Sequence, residues 1–360
     1  MAKLLKHLYN ETYIQVLTNN ITLNYPDFDA IDFTNKIFDN SWESKELKQR
    51  MRHISNTLYQ FLPKNYNESI NILESTFVKM NHKYTLENII FQDFVEVHGI
   101  GCFEKSMEAL ECFTINSSSE FAIRQFILQH FDKTMAQMKI WAKSNNEHIR
   151  RLASEGCRPR LPWAIALPIF KENPQKVLEI IDILKNDESK YVRKSVANNI
   201  NDISKDNPQI VKKMVKKWIG KNDNLDWIIK HGSRTLLKNG DKDILELFGF
   251  VENKNISIDS FTLNEDIKLG DNLEFSCIFN SPYNLGKLRI EYSITFVRQN
   301  NKFNTKIFKI SEGIYNQKSY KISKHYSFKP ISTRKYYQGK HILAIIINGI
   351  VLGEREFHLT

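Results

Sequence analysis

The chain has 360 residues, more than one compact core normally holds, so two domains are expected. Lys and Arg number 51 against 41 Asp and Glu, a net charge of +10 that favours a polyanionic partner. The four cysteines make no C-x-x-C pair, which excludes a zinc site or a disulfide scaffold and points to a reducing compartment. Met1 to Leu17 scatters Lys3, Lys6, His7 and Glu11 among its apolar residues and so lacks the continuous apolar core of a signal peptide. No apolar run, Ile342 to Ile347 included, nears the roughly twenty residues of a bilayer span. These features predict a soluble, cytoplasmic protein without a membrane partner.

In chain order, apolar residues three and four apart predict helices over Ala2 to Leu17, Asp29 to Asp39, Leu47 to Phe61 and Tyr66 to Lys79, with turn-forming clusters such as Asn24-Tyr25-Pro26-Asp27 between them. Phe91 to Gly101 reads as an aromatic-rich helix that carries Asp93 and Glu96 and is ended by glycine. Gly99 and Gly101 make a poor phosphate loop, because Glu104 stands where a third glycine belongs and no strand precedes. From residue 119 the chain repeats weakly. Ile149-Arg150-Arg151-Leu152-Ala153 recurs 43 positions on as Val192-Arg193-Lys194-Ser195-Val196, each behind an acidic residue at a helix start. Helical repeats of about forty residues mark HEAT-type solenoids, whose paired helices stack into a curved array with a concave inner face.

The stretch Arg150 to Trp163 gathers Arg150, Arg151, Arg158 and Arg160 with Glu155 and Trp163 at a helix end. Gly156 is expected to take the positive φ that stops the helix, and Pro159 and Pro162 to prevent its resumption, leaving a rigid, exposed connector. Arginines there suit phosphate oxygens, and a carboxylate beside an aromatic ring suits a cation at a phosphodiester backbone. The ordinary alternative is a solvated basic loop whose Glu155 pairs with its neighbours. Two further acids join Glu155 if the inner helices lie side by side: Glu120, opening a helix over Ser119 to His130, and Asp202, at the end of the helix with the second repeat motif. Taken singly, Glu120 is a helix-dipole partner and Asp202 a turn residue. Their coincidence with Arg150, Arg158, Arg160, Arg193 and Lys194 favours a site.

From Ile256 the hydrophobic period becomes two. Seven strands, Ile256 to Leu263, Asn272 to Phe279, Lys287 to Val297, Phe303 to Ile310, Ser319 to Phe328, His341 to Ile347 and Ile350 to Leu359, predict an immunoglobulin-like β-sandwich, with Asn348-Gly349 turning the last hairpin. The expected fold class is therefore multidomain, α then β: a HEAT-like repeat superhelix over residues 1–250 and a sandwich over 251–360. Residues up to 250 carry 35 basic and 31 acidic side chains, and the rest 16 and 10, so the smaller part is the more basic per residue.

The runs Arg150 to Trp163, Glu46 to Ile54, Phe91 to Gly99, Ser119 to Arg124 and Asp226 to His231 resemble the AlkC family of bacterial DNA alkylation-repair glycosylases, over nearly all of residues 1–250. The resemblance implies a superhelix, related to the AlkD family, that cradles duplex DNA and hydrolyses the N-glycosidic bond of 3-methylcytosine, 1-methyladenine and 3-methyladenine in base excision repair, without extruding the base into a pocket. It implies that Glu120, Glu155 and Asp202 are the active-site acids and Trp163 an aromatic wall. Arg150, Arg151, Arg158, Arg160, Arg193 and Lys194 are the expected DNA contacts. No cofactor or metal is implied, and a monomer in the bacterial cytosol and nucleoid is expected. Two other functions compete: a non-catalytic HEAT scaffold, which would release no base, and an exported carbohydrate-active or adhesion protein, for which nothing directs export.

Overall fold

The computed structural model describes residues 4–80, 82–331 and 334–360. Ala2 and Lys3, at the head of the first expected helix, lie outside the described residues. That helix runs instead over Glu11–Asn24, because Asn10 is extended and its side chain accepts from the Tyr13 amide at 3.0 Å, a cap that fixes the start. Helices Leu47–Phe61 and Tyr66–Lys79 have the expected bounds. A reciprocal capping box of Glu46 with Gln49 opens the first, and Asn65 caps the second. Among the described residues no helix is long and apolar enough to cross a membrane.

The repeat seen in the sequence has a structural counterpart. Helices Glu147–Gly156 and Lys190–Asp206 pack on each other, and each uses its arginine in the same way. Arg150 Nη1 donates to the carbonyls of Ser144 and Asn145, both at 3.0 Å. Arg193 Nη1 donates to those of Asp187 at 2.7 Å and Glu188 at 2.8 Å. Each guanidinium thus ties its helix to the loop that leads into it, satisfying carbonyls that no helix ladder reaches. Arg150 also grips the Asp187 carboxylate at 2.6 and 3.0 Å, which fastens one repeat to the entry loop of the next.

Three local expectations need correction. Glu120 does not open a helix: the Ser119 hydroxyl donates back to the Leu110 carbonyl at 2.7 Å, the chain turns through residues 120–122, and the helix is Ile123–Gln129. Gly156 does not take a positive φ either; that conformation belongs to Trp163, at 65°. A Cβ on Gly156 would lie 2.6 Å from Ile123 Cγ2 and 2.9 Å from Met138 Cε, so the glycine is there for the close approach of its neighbours. Nor is the connector exposed throughout. Cys157, Arg158, Pro159 and Leu161 are buried, while Arg160, Pro162 and Trp163 face solvent.

Packing divides the chain into two compact units, Met1–Asn207 with Asp223–Ile228, and Pro208–Asn222 with Ile229–Thr360. The packing boundary therefore falls upstream of the change from helix to strand. Within the second unit, strands β1 (Ser257–Leu263), β2 (Asp266–Ile267), β3 (Asn272–Asn280), β4 (Gly286–Val297), β5 (Phe303–Tyr315), β6 (Ser319–Ser327), β7 (Gly339–Ile347) and β8 (Ile350–Leu359) form two sheets, ordered β1-β3-β6 and β2-β8-β7-β4-β5. Phe275, Phe279, Ile290, Ile294, Leu343 and Phe357 meet in the core between them. The short β2, which alternation does not reveal, pairs parallel with β8. Asn348 and Gly349 have φ of 49° and 82°, the two left-handed residues of the expected hairpin turn.

The other face of β4 explains why helical residues belong to this unit. Arg289, Glu291 and Ser293 are buried there, and burial raises the Glu291 carboxyl although Arg289 pairs with it at 2.6 Å. Glu312 on β5 takes Arg289 at 2.9 Å and Lys230 from the helical segment at 2.7 Å. Leu245, Phe248 and Phe250 are buried in the same unit, and a Cβ on Gly349 would come within 2.5 Å of Leu245 Cδ1. A polar sheet face covered by helices needs such internal pairing, because buried charges left alone are costly.

Gly156 gives a test of sign. In an open helix Gly→Ala stabilises by about 1 kcal/mol, whereas overpacking a filled core costs roughly 1–3 kcal/mol. Gly156→Ala is expected to destabilise the helical unit by up to about 2 kcal/mol in urea titrations; a stabilised variant would mean that Ile123 and Met138 give way freely.

Candidate active site

Three carboxylates and three cations alternate through the helical unit in one chain of contacts. Glu120 Oε2 accepts from Arg151 Nη1 at 2.5 Å, and Arg151 Nη2 lies 3.8 Å from Glu155 Oε1. That same Glu155 oxygen accepts from Arg158 Nη1 at 2.6 Å, and Arg158 Nε donates to Asp202 Oδ2 at 2.9 Å. Lys205 closes the series on Asp202 Oδ1 at 3.0 Å. Helix packing makes this possible: Arg151 and Glu155 share a face of Glu147–Gly156 four residues apart, Asp202 comes from Lys190–Asp206, and Glu120 from the turn before Ile123–Gln129.

Burial decides how much this arrangement matters. Glu155, Arg158 and Asp202 are 5%, 7% and 1% exposed, so each would be costly as a lone charge. For Arg158 and Arg151, burial opposes the charged form, but the carboxylates outweigh it and hold both guanidinium groups charged. Glu120 behaves differently: burial raises its carboxyl above the ordinary carboxylate value, and Arg151 offsets this only in part. The acids also differ in how their oxygens are used. Both oxygens of Glu155 are taken, one by Arg158 and the other by the Ser195 hydroxyl at 2.6 Å, and both of Asp202 by Arg158 and Lys205. Among the described residues Glu120 Oε1 has a single long contact, 3.5 Å to Arg151, so it is the least engaged oxygen of the three carboxylates.

The connector is anchored from beneath by Arg124, which is fully buried and donates to the carbonyls of Gly156 at 2.9 Å, Arg158 at 2.8 Å and Ile165 at 2.7 Å. Burial lowers the Arg124 pKa to about 10, so it remains cationic beneath the acids at neutral pH. Cys157 is a packed thiol: burial pushes it up to about 12, far from a nucleophile's range. No group of acidic, histidine and cysteine side chains suited to a metal ion occurs among the described residues.

Three comparisons bear on this geometry. The family of DNA alkylation repair enzymes matches residues 103–242, and the C-terminal immunoglobulin-like domain of YhaZ matches residues 257–360. The uncharacterized protein YhaZ of Bacillus subtilis (strain 168) is 44% identical over 357 residues, 99% of either chain. The alkylpurine DNA glycosylase AlkC of Pseudomonas fluorescens, solved bound to DNA containing an abasic site analog, is 34% identical with a TM-score of 0.95 over 99% of this chain and 100% of that one. The chain belongs to the AlkC family of DNA glycosylases. Its helical repeat and immunoglobulin-like C-terminal domain are the AlkC fold.

In this AlkC-type chain the residues expected to form a site separate into groups. Glu120, Arg151, Glu155, Arg158 and Asp202 come together. Arg150 and Arg193 are occupied in the entry loops, and Arg160 pairs with Asp206 at 2.5 Å at the surface. Lys194 and Trp163 are exposed. Sequence reasoning missed Ser195, Lys205, and Tyr191, whose ring lies 4.9 Å from the Arg151 guanidinium. A signal for Ser195 was present: in the 43-residue register it replaces Leu152, a hydroxyl at a core position.

Breaking one partner of a buried ion pair typically costs 3–5 kcal/mol, because the other charge is left uncompensated, whereas a surface pair is worth about 0–1 kcal/mol. Arg158→Met is accordingly expected to lower urea stability by about 3–5 kcal/mol and Arg160→Met by less than about 1 kcal/mol. Equal losses would show that the acid cluster is wetter than its burial indicates.

Proposed function

We propose that this chain hydrolyses the N-glycosidic bond of cationic N-methylated bases, 3-methylcytosine, 1-methyladenine and 3-methyladenine, in duplex DNA without drawing the base into a pocket. The observation that carries this reading is the set of two buried acids, each held on both oxygens by cations or by a cation and a hydroxyl, with a half-buried third acid, Glu120, that has one loosely engaged oxygen. Ring methylation puts a positive charge on the base, so the C1′–N bond can break with its electron pair going to the base, which leaves neutral. The sugar then develops oxocarbenium character, and preorganised carboxylates stabilise that charge. Glu155 and Asp202 suit the fixed electrostatic role. Glu120 suits the role of general base: the water oxygen bonds C1′ while Glu120 Oε1 takes its proton.

The requirement for a charged base supplies selectivity that a shaped pocket would otherwise provide. An open cleft of about 510 Å³, lined by Lys48, Arg52, Glu96 and Phe121 among others, is of a kind compatible with a duplex lying across the surface. In the sandwich unit, burial and the neighbouring charges of Arg334, Arg298 and Lys238 lower the Lys306 pKa. Such mutually repelling cations support a face that adds DNA affinity, while all three acids lie in the helical unit.

The deciding experiment is base release from a duplex carrying a single 3-methylcytosine. Wild-type protein that binds this DNA and releases nothing would make the chain a non-catalytic scaffold. Given release, Glu155→Gln is expected to slow the single-turnover step by about 10²–10³, roughly 3–4 kcal/mol of barrier, with DNA affinity nearly unchanged. An unaltered rate would reduce Glu155 to a structural ion-pair partner.

The pH dependence follows from Glu120. A general base must be ionised, so the rate falls as pH drops through its pKa, and burial has moved that pKa upward. The acid limb of the single-turnover profile is expected at a higher pH than an ordinary carboxylate would give. Glu120→Gln should be slow and lack that limb; a Gln variant that keeps it assigns the titration to another group.

A further inference from the structure

Trp163 occupies a backbone position that its side chain does not favour. The Ala164 amide donates to the Leu161 carbonyl at 3.3 Å, so residues 161–164 form a β-turn with Pro162 and Trp163 at the two central positions. At φ 65° Trp163 holds the second central place of a type II turn, which glycine ordinarily takes because a Cβ is crowded there. The indole gains no burial in exchange, since Trp163 is 62% exposed. A large apolar ring kept in a left-handed turn and pointed at solvent requires support from outside the turn.

Arg124 holds the flanks, at the carbonyls of Arg158 and Ile165, but not the centre. The central contact comes from Lys48, on the helix Leu47–Phe61, whose ammonium donates to the Trp163 carbonyl. The same ammonium lies 5.2 Å from the centroid of the Phe121 ring, and Phe121 directly follows Glu120. One cation therefore joins two segments: the turn that presents the indole, and the turn that carries the acid with spare acceptor capacity. A charge-assisted bond to a carbonyl and a cation-π contact are both directional enough to set their relative placement.

We infer that Lys48 is a positioning residue that holds Trp163 in its left-handed turn and fixes the indole relative to Glu120. The inference rests on the reading of Trp163 as the aromatic wall beside the scissile nucleotide. Lys48 acts through Trp163 and Glu120, and its ammonium is already committed to the protein, which separates this role from that of a lysine reaching for phosphate. Met in its place keeps the length and helix propensity of the side chain while removing the donor.

The full chain has five tryptophans, so incorporation of 5-fluorotryptophan yields five ¹⁹F resonances, of which Trp163→Phe assigns one. In Lys48→Met the Trp163 resonance alone is expected to shift or broaden, and single-turnover release of 3-methylcytosine to fall about ten- to a hundredfold, as expected when a positioned group is displaced. Lys48→Arg should restore most of both. The slope of log affinity against log salt should change by well under about 0.9, the value of one phosphate contact. A Trp163 resonance unmoved in Lys48→Met overturns the tether. A loss of release accompanied by a full phosphate's change in salt slope overturns it too, making Lys48 a DNA contact. Trp163→Ala examines the underlying reading by itself: unchanged release there overturns the functional half of the inference, while the resonance still decides whether Lys48 holds the turn.

Discussion

The structure of the site depends on Arg158. Its guanidinium is the only group that touches both Glu155 and Asp202 in the series of contacts, at 2.6 and 2.9 Å, and all three residues are buried. Two carboxylates brought this close in a poorly solvated place repel each other, and the Arg158 guanidinium between them offsets that repulsion. The helices Glu147–Gly156 and Lys190–Asp206 can therefore pack tightly with acids on their shared face, which an apolar interface would achieve at lower electrostatic cost but with nothing to offer a developing cation. On the proposed reading, the same buried ion pairs that join the helices also supply the negative charge for the chemistry.

This changes what an arginine count in such a chain means. Arg150 and Arg193 look like phosphate contacts in a linear reading, yet each closes the carbonyls of its own entry loop with the same spacing. Arg124 does comparable work under the connector. In a solenoid whose repeats meet end to end, loops between helices carry many carbonyls without ladder partners, and a five-donor planar side chain satisfies them economically. Surface charge left for a polyanion is correspondingly smaller in the repeat than composition implies, with Arg160 and Lys194 the exposed members of the expected set.

Much of the fold was legible in the sequence because its signals are local. Strand alternation located β3 and β8 almost to the residue, and Asn348-Gly349 announced its own turn. The helices Leu47–Phe61 and Tyr66–Lys79 were bounded by their caps and by Leu62-Pro63. What failed depended on partners distant in the chain. Gly156 looks like a helix stop, but Ile123 and Met138 are what require it, and neither is visible from residue 156. Lys48 lies 115 residues from Trp163, and only the folded chain joins them. The packing boundary was hidden for the same reason: hydrophobic period reports which kind of element forms, whereas Lys230 on Glu312 and Leu245 near Gly349 report what that element packs against. The family resemblance singled out the three acids, and the structure does bring them into one series of contacts; their unequal oxygen use was hidden, because Ser195 and Lys205 are ordinary residues until their neighbours are known.

That inequality bears on how a site built from like residues divides its labour. Three carboxylates with identical surroundings would titrate as one coupled group, and none would be distinguished as a base. Here the cations are placed unevenly. Glu155 holds Arg158 and Ser195 on separate oxygens, and Asp202 holds Arg158 and Lys205, so in the proposed reaction each would act as a charge already fixed in place. Glu120 shares Arg151 with Tyr191 and the Ser118 hydroxyl, keeps an oxygen free of close contact, and is raised by burial. Protonation of Glu120 at Oε1 therefore disturbs one long contact, of 3.5 Å. In the proposed reaction a proton arriving from an attacking water would be accepted where the network is least committed, leaving the contacts of Glu155 and Asp202 intact.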